Sequence, residues 1–128
     1  MREKSAGFTW IELLFVLAVF AILMAMAIPG LRDVAAKSQV RDGLVLADLA
    51  KRGVQSAWTA KGEMPADNAA AGIPPRDKIV GNLIKDVNVA GGAITLTYGN
   101  NASKVLDGKR LTLRPAVVAD QPMVPIAW

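Results

Sequence analysis

At 128 residues the chain has room for one modest domain and a single anchoring segment. It contains neither histidine nor cysteine, which excludes disulfides, thiol chemistry and the commonest general base and metal ligand. The net charge of +4 arises from cations interleaved with aspartates, a solvated surface that permits contact with polyanions without demanding it.

The first thirty residues are the most unusual. A short charged leader, Met1-Arg2-Glu3-Lys4-Ser5-Ala6, ends in Gly7, and an apolar run begins at once with Phe8. Only Thr9 and Glu12 interrupt it before Leu31. About 20 apolar residues span a bilayer as a helix, so Phe8–Leu31 reads as a transmembrane segment. Arg2 and Lys4 in front of it leave the N-terminus cytoplasmic by the positive-inside rule. Glu12 is the anomaly, because an acidic residue at the bilayer centre costs about 2.5–3.5 kcal/mol on insertion scales. The sequence therefore predicts that Glu12 finds a partner outside the lipid.

Pro29-Gly30 follows near the end of the run. A helix-interior proline removes one backbone bond and crowds the carbonyl four residues back, so a bend or a local melting point is predicted there. Helical patterning resumes beyond it: Leu31, Val34, Ala35, Ser38, Val45 and Leu49, continued by Ala47, Ala50, Val54, Ala57 and Trp58, follow spacings of three and four that predict one apolar face. Gly43 and Gly53 weaken this helix by up to about 1 kcal/mol each. Lys61-Gly62 reads as its C-terminal stop. One bent helix from Phe8 to about Ala60 would be about 80 Å long. A secretory signal peptide is the rival reading, since Ala25-Met26-Ala27 is an A-x-A sequence with Ile28 as the mature start. It leaves Glu12 unexplained.

Gly7, Phe8, Thr9 and Glu12 at this spacing, placed at the head of the apolar run, resemble the processing and assembly signature of the type IV pilins. The resemblance implies cleavage after Gly7 by a dedicated membrane peptidase, which also N-methylates the new terminus at Phe8. It implies that Glu12 is the assembly glutamate and Pro29 the helix-bending proline. Ala21 departs from the pattern, since many members carry a second helix-loosening glycine there. The implied organisation is a leader over 1–7, a transmembrane and assembly half of the helix over 8–31, and a globular head over 32–128 that includes the helix's second half. The physics agrees with those roles. A free amine at Phe8 would be a cation at the edge of the apolar core, and Glu12 of a neighbouring chain its natural partner. Buried opposite charges tolerate a low dielectric only when paired, and such a pair fixes register.

The remaining sequence predicts a small α+β head. Glu63–Pro75 is rich in Ala, Gly and Pro and reads as a surface connection. Strand-like runs follow at Ile79–Val80 and Leu83–Val89, then a turn at Gly91-Gly92, then Ala93–Tyr98, where Ile94, Leu96 and Tyr98 alternate with threonines. A likeness to a hairpin across the two glycines is clear. Turns at Gly99-Asn100-Asn101 and Leu106-Asp107-Gly108-Lys109 bracket the next connection, Arg110–Pro115 reads as a strand with Leu111 and Leu113 inward, and Pro125–Trp128 as an edge strand. The expected fold is thus a long bent N-terminal helix packed against a small antiparallel meander, the pilin fold. The run from Val87 to Pro115, with Ile126-Ala127-Trp128, resembles the strand core of bacterial major pilins. Members often continue past such a tryptophan into a cysteine-bounded loop, so a continuation beyond Trp128 is expected.

No hydrolase, kinase, nucleotide or zinc pattern is present, and Gly91-Gly92 is not followed by a helix as a phosphate loop requires. The acidic residues are too scattered for a calcium site. No catalytic residue, cofactor or metal is expected. Arg76, Lys78 and Lys85, with Lys104, Lys109, Arg110 and Arg114, could form basic stripes on a repeated surface, although a solvated basic face is the preferred reading. Phe8, Trp10, Phe15 and Phe20 fall in the inserted segment, where aromatics are ordinary packing residues.

The resemblance implies a structural subunit of a type IV pilus of the IVa-like major kind, drawn from an inner-membrane pool and stacked by its N-terminal helices. The alternative is a minor pilin or a pseudopilin of type II secretion. Implied partners are other copies of the chain, the prepilin peptidase and methyltransferase, the inner-membrane assembly machinery, and DNA or a host surface met through the fibre. Implied uses of the fibre are adhesion, twitching motility and DNA uptake. The implied location is the inner membrane, single-pass, before assembly, and the extracellular pilus after it.

Overall fold

Helix formation in this chain begins with a reciprocal pair of side-chain contacts at Thr9 and Glu12 and ends with a glycine. The computed structural model describes residues 7–128; Arg2 and Lys4, on which the expected orientation rests, lie outside the described residues. Helix α1 (Trp10–Lys61) runs for 52 residues and includes Pro29. Pro29 has no N–H for the carbonyl of Ala25, yet the residues on both sides keep helical geometry. At the far end Gly62 takes a φ of +67°, and its N–H donates to the Trp58 carbonyl at 2.8 Å. This is the left-handed cap that glycine adopts most cheaply, and it stops the helix where the sequence predicts.

The chain divides into two compact units, Met1–Ala35 and Ala36–Trp128. In the first unit, the described part of α1 is long and apolar enough to cross a membrane. Its large side chains face outward, with Phe8 85% and Trp10 76% exposed.

The second unit packs α1 from Ala36 onward against a three-stranded antiparallel sheet of order β1-β2-β3. Strand β1 is Ile84–Ala90, β2 is Ala93–Tyr98 and β3 is Arg110–Leu113. Gly91 and Gly92, at φ of +57° and +81°, join β1 to β2, as a two-residue turn of the mirror-image type requires. The register places Val87 opposite Leu96 and Leu96 opposite Leu111, with Val89, Ile94 and Leu113 in the next row. Alternation then sends these side chains to one face. That face meets Ala47, Ala50, Val54 and Trp58 of α1 to form the core, joined by Ile73, Ile79 and Ile126.

Four features differ from the sequence expectation. Val45 and Leu49 do not share the core face of α1. They are 70% and 45% exposed, while the buried line is Gly43, Ala47, Ala50, Val54, Ala57 and Trp58. Gly43, Ala47 and Ala50 are small where the sheet approaches closely, since a Cβ on Gly43 would lie 2.7 Å from the Tyr98 ring, and the neighbouring Gly53 makes room for the connection, a Cβ there lying 2.6 Å from the Ala71 carbonyl oxygen. The connection after α1 is not merely superficial, since Asn68, Ala71 and Ile73 are buried. Ile79 is a core residue but not a strand; a 3-10 turn, Arg76–Lys78, precedes it. Finally, Pro125–Trp128 makes no strand. Ala127 pairs with Ala116 in a single bridge, and Pro122 and Pro125 offer no N–H with which to build a ladder.

Candidate assembly site

Glu12 sits in the first turn of α1, and its geometry follows from Thr9. The Thr9 N–H donates to Glu12 Oε2 at 2.8 Å, and the Glu12 N–H donates to Thr9 Oγ1 at 3.3 Å. The Leu13 N–H donates to the Thr9 carbonyl at 3.2 Å and closes the first turn. Thr9 is therefore the N-cap and Glu12 the third helical residue of a capping box. Such boxes satisfy two of the N–H groups that every helix start leaves without partners. The positive end of the helix dipole adds to the attraction for a carboxylate there.

The box gives Glu12 a partner within its own chain, in addition to the one expected outside the lipid. A backbone hydrogen bond to one carboxylate oxygen offsets part of the penalty for burying the acid. The signal was present as Thr9-x-x-Glu12 ahead of an apolar run, a sequence mark of a capping box. Thr9 is the residue of this cluster that the sequence reading left without a role.

The box engages one carboxylate oxygen. Oε1 has no hydrogen-bond partner among the described residues. Phe8, Ile11, Phe15 and Val16 surround Glu12 along one helix face, at the spacings of three and four that stack side chains on one side. The arrangement is an acid, oriented and half satisfied, set in an exposed apolar stripe. It can accept a cation brought by another molecule whose own surface is apolar.

Of the other residues singled out in the sequence, Gly7 is open on all sides, with no atom within 4 Å of where a Cβ would stand. Phe8 is next to it and almost fully exposed, so the Gly7–Phe8 bond is accessible. Pro29 lies 17 residues beyond Glu12 in the same helix and forms no part of this cluster. No group of three or more metal-ligating side chains is found among the described residues. The basic residues of the head are partly paired: Arg76 meets Asp86 at 3.0 Å and Lys85 meets Asp107 at 3.3 Å. Such exposed pairs add little stability.

Comparison with known proteins gives the family. The family model for pilin, the bacterial filament protein, matches residues 36–128. The model for the prokaryotic N-terminal methylation motif matches residues 2–28. The type IV major pilin protein PilE of Neisseria gonorrhoeae is 37% identical over 114 residues, covering 88% of this chain and 68% of that protein. A second gonococcal major pilin, PilE1, is 38% identical over 116 residues, 88% of this chain and 64% of its own length. Fimbrial protein EcpC of Eikenella corrodens is 37% identical over 117 residues, 89% of this chain and 76% of its own length. The chain thus spans about two thirds to three quarters of the length of these relatives.

Proposed function

The chain belongs to the type IV pilin family, and on that premise we propose that Glu12 of one subunit joins the Phe8 amine of the next as a pilus is built. Pilins are structural fibre subunits rather than enzymes, and this chain is one of them. The observation that carries the proposal is the half-satisfied carboxylate at the head of an exposed apolar stripe. Cleavage between Gly7 and Phe8 creates the cation, and N-methylation of Phe8 by the same prepilin peptidase leaves it charged. In a fibre the apolar stripes bury one another, and the amine and carboxylate meet where water is scarce. Such a pair discriminates strongly against misregistered neighbours, because a shifted subunit would bury two unpaired charges.

Before assembly the subunit is a precursor held by its apolar helix. We place it in the inner membrane with its N-terminus cytoplasmic, the 8–31 segment in lipid and the head outside. Pro29 bends the helix, or lets it loosen, when the assembly machinery draws the subunit out of the bilayer. The relatives named major pilins favour the principal subunit of a fibre over a minor component. Adhesion, twitching motility and DNA uptake are the uses we assign to such a fibre, with DNA or a host surface as its outer partner.

Intact mass and N-terminal sequencing of the mature protein test the first step. The expected start is N-methylated Phe8. A mature start at Ile28 would instead make the apolar run a discarded secretory signal. Gly7→Leu is expected to leave full-length precursor in the membrane, because a branched side chain occupies space now open to the peptidase.

A further inference from the structure

The basic residues that follow α1 fall into two groups. Arg76, Lys78 and Lys85 meet Asp86, Asp77 and Asp107 at 3.0, 3.7 and 3.3 Å. Lys104, Lys109, Arg110 and Arg114 are exposed and make no ion pair among the described residues. The one acid between residues 104 and 114 is Asp107, and Lys85 of β1 already holds it. Cations interleaved with acids make an ordinary solvated surface; this stretch is basic without compensation.

Strand β3 gives the centre of the cluster a fixed orientation. Leu111 and Leu113 turn toward the core, so Arg110, Thr112 and, one residue past the strand, Arg114 line the outer face. At 3.4 Å per residue Arg110 and Arg114 stand about 14 Å apart. Arg110 lies opposite Thr97 of β2, and Thr112 lies opposite Thr95, with the hydroxyls of the second pair hydrogen-bonded at 3.1 Å. The acid in the Thr97 row is Asp86, and both its oxygens are engaged, one by Arg76 and one by the Thr97 hydroxyl. The next acid along the chain, Asp120, comes after the Ala116–Ala127 bridge, in the segment that Pro122 ties to Thr59 of α1.

We propose that the strip of Arg110, Thr112 and Arg114, with Lys109 beside it, binds the phosphate backbone of duplex DNA. The proposal rests on the filament-subunit reading above and assigns these residues to its outer partner. Duplex DNA carries one negative charge per about 1.7 Å of its axis, so a strip about 14 Å long faces several phosphates. Arginine grips a phosphate through two parallel N–H donors, and threonine hydroxyls donate to phosphate oxygens. Single strands are held largely by stacking on aromatic rings, and none joins this strip: Trp58 and Tyr98 are buried, and Trp128 lies over Lys51 of α1. Side chains on a flat strand reach phosphates without entering a groove, so the binding is independent of sequence. A few phosphate contacts are weak in one head, and a fibre repeats them along its length.

Fibres sheared from cells are expected to retain a labelled linear duplex of random sequence at low salt. Arg110→Gln/Arg114→Gln is expected to lower the retained duplex about tenfold or more at native fibre yield. Arg76→Gln/Lys78→Gln removes the same formal charge from cations that already have partners, and is expected to lower it less than about twofold. For the full chain in detergent on an immobilised duplex, replacing both arginines is expected to reduce the slope of log affinity against log salt by about 1.8, at about 0.9 per phosphate contact. Equal losses from the two double variants would assign the binding to overall charge and overturn the strip. So would an unchanged salt slope, retention of a single strand in preference to the duplex, or retention of heparin with no duplex bound. Absence of fibres from the native chain would instead overturn the subunit reading, and the slope measured on the solubilised chain then decides the strip by itself.

Discussion

Asn68 takes the place of a neighbouring strand. Its Oδ1 accepts the Val89 N–H at 2.6 Å, and its Nδ2 donates to the carbonyls of Val87 and Pro74, each at 3.0 Å. One buried amide thereby closes the outer edge of β1, which would otherwise present unpaired backbone groups. Asn68→Ala leaves the Val89 N–H buried without an acceptor, and it is expected to cost about 2–3 kcal/mol in denaturant unfolding of the full chain in detergent. A loss below about 0.5 kcal/mol, the range of an ordinary surface change, would mean that water replaces the amide. Tyr98 is the second buried polar side chain with a clear duty. Its hydroxyl donates to the Val40 carbonyl at 3.0 Å, and burial pushes the phenol above its ordinary value of 10.0. An acid whose folded value is raised holds its proton longer in the folded state. Its contribution to stability is thus complete below the unfolded value of about 10 and is lost as pH rises through the folded one. The expected outcome is that native stability falls more steeply above pH about 10 than that of Tyr98→Phe, read from parallel melts across pH 8–11. Identical slopes would show that the phenol ionises equally in both states.

The helix and the connection that follows it are held at a separation set by glycine. Gly53 lets the Ala71 carbonyl and Ile73 lie against α1, and the clash with Ala71 involves backbone, which cannot rotate away. Gly53→Ala, which would stabilise an exposed helix by up to about 1 kcal/mol, is therefore expected to destabilise this one by about 1–3 kcal/mol, checked by thermal unfolding. A stabilised variant would show that the connection yields. Here the limits of the sequence are physical. The strands over Leu83–Val89, Ala93–Tyr98 and Arg110–Pro115 were legible because alternation and paired glycines are local signals. So were the cap at Gly62 and the apolar run from Phe8. Which apolar positions of α1 face the sheet was not legible, because Val45 and Leu49 fit the same spacing as Ala47 and Ala50, and only the sheet's approach distance selects the small residues. The burial of Asn68 depends on the edge of β1, 19 to 21 residues further on. At the candidate site Gly7, Phe8, Glu12 and Pro29 stood out as individual residues. The link between Thr9 and Glu12 was readable from their spacing, but the apolar run drew attention to the cost of the acid rather than to the helix start it caps.

In the proposed assembly the same carboxylate would have two duties, capping its own helix and accepting a cation from another chain. The capping box makes Glu12 tolerable in the unassembled subunit, while the open Oε1 leaves it competent to pair. The two duties are separable. Thr9→Ala removes the N-cap hydroxyl, worth about 1 kcal/mol of helix stability, and keeps the acid; fibres are expected to persist. Glu12→Val removes both, and Glu12→Gln keeps a hydrogen-bonding group without charge. The most direct measurement is the yield and length of sheared fibres from these three variants, with cleavage and membrane levels followed in parallel. Normal cleavage and membrane levels are expected throughout, with near-native fibres from Thr9→Ala and at least about tenfold fewer from Glu12→Val and Glu12→Gln, as when a buried pair loses one partner. Native yield and length from both Glu12 variants would contradict the pairing.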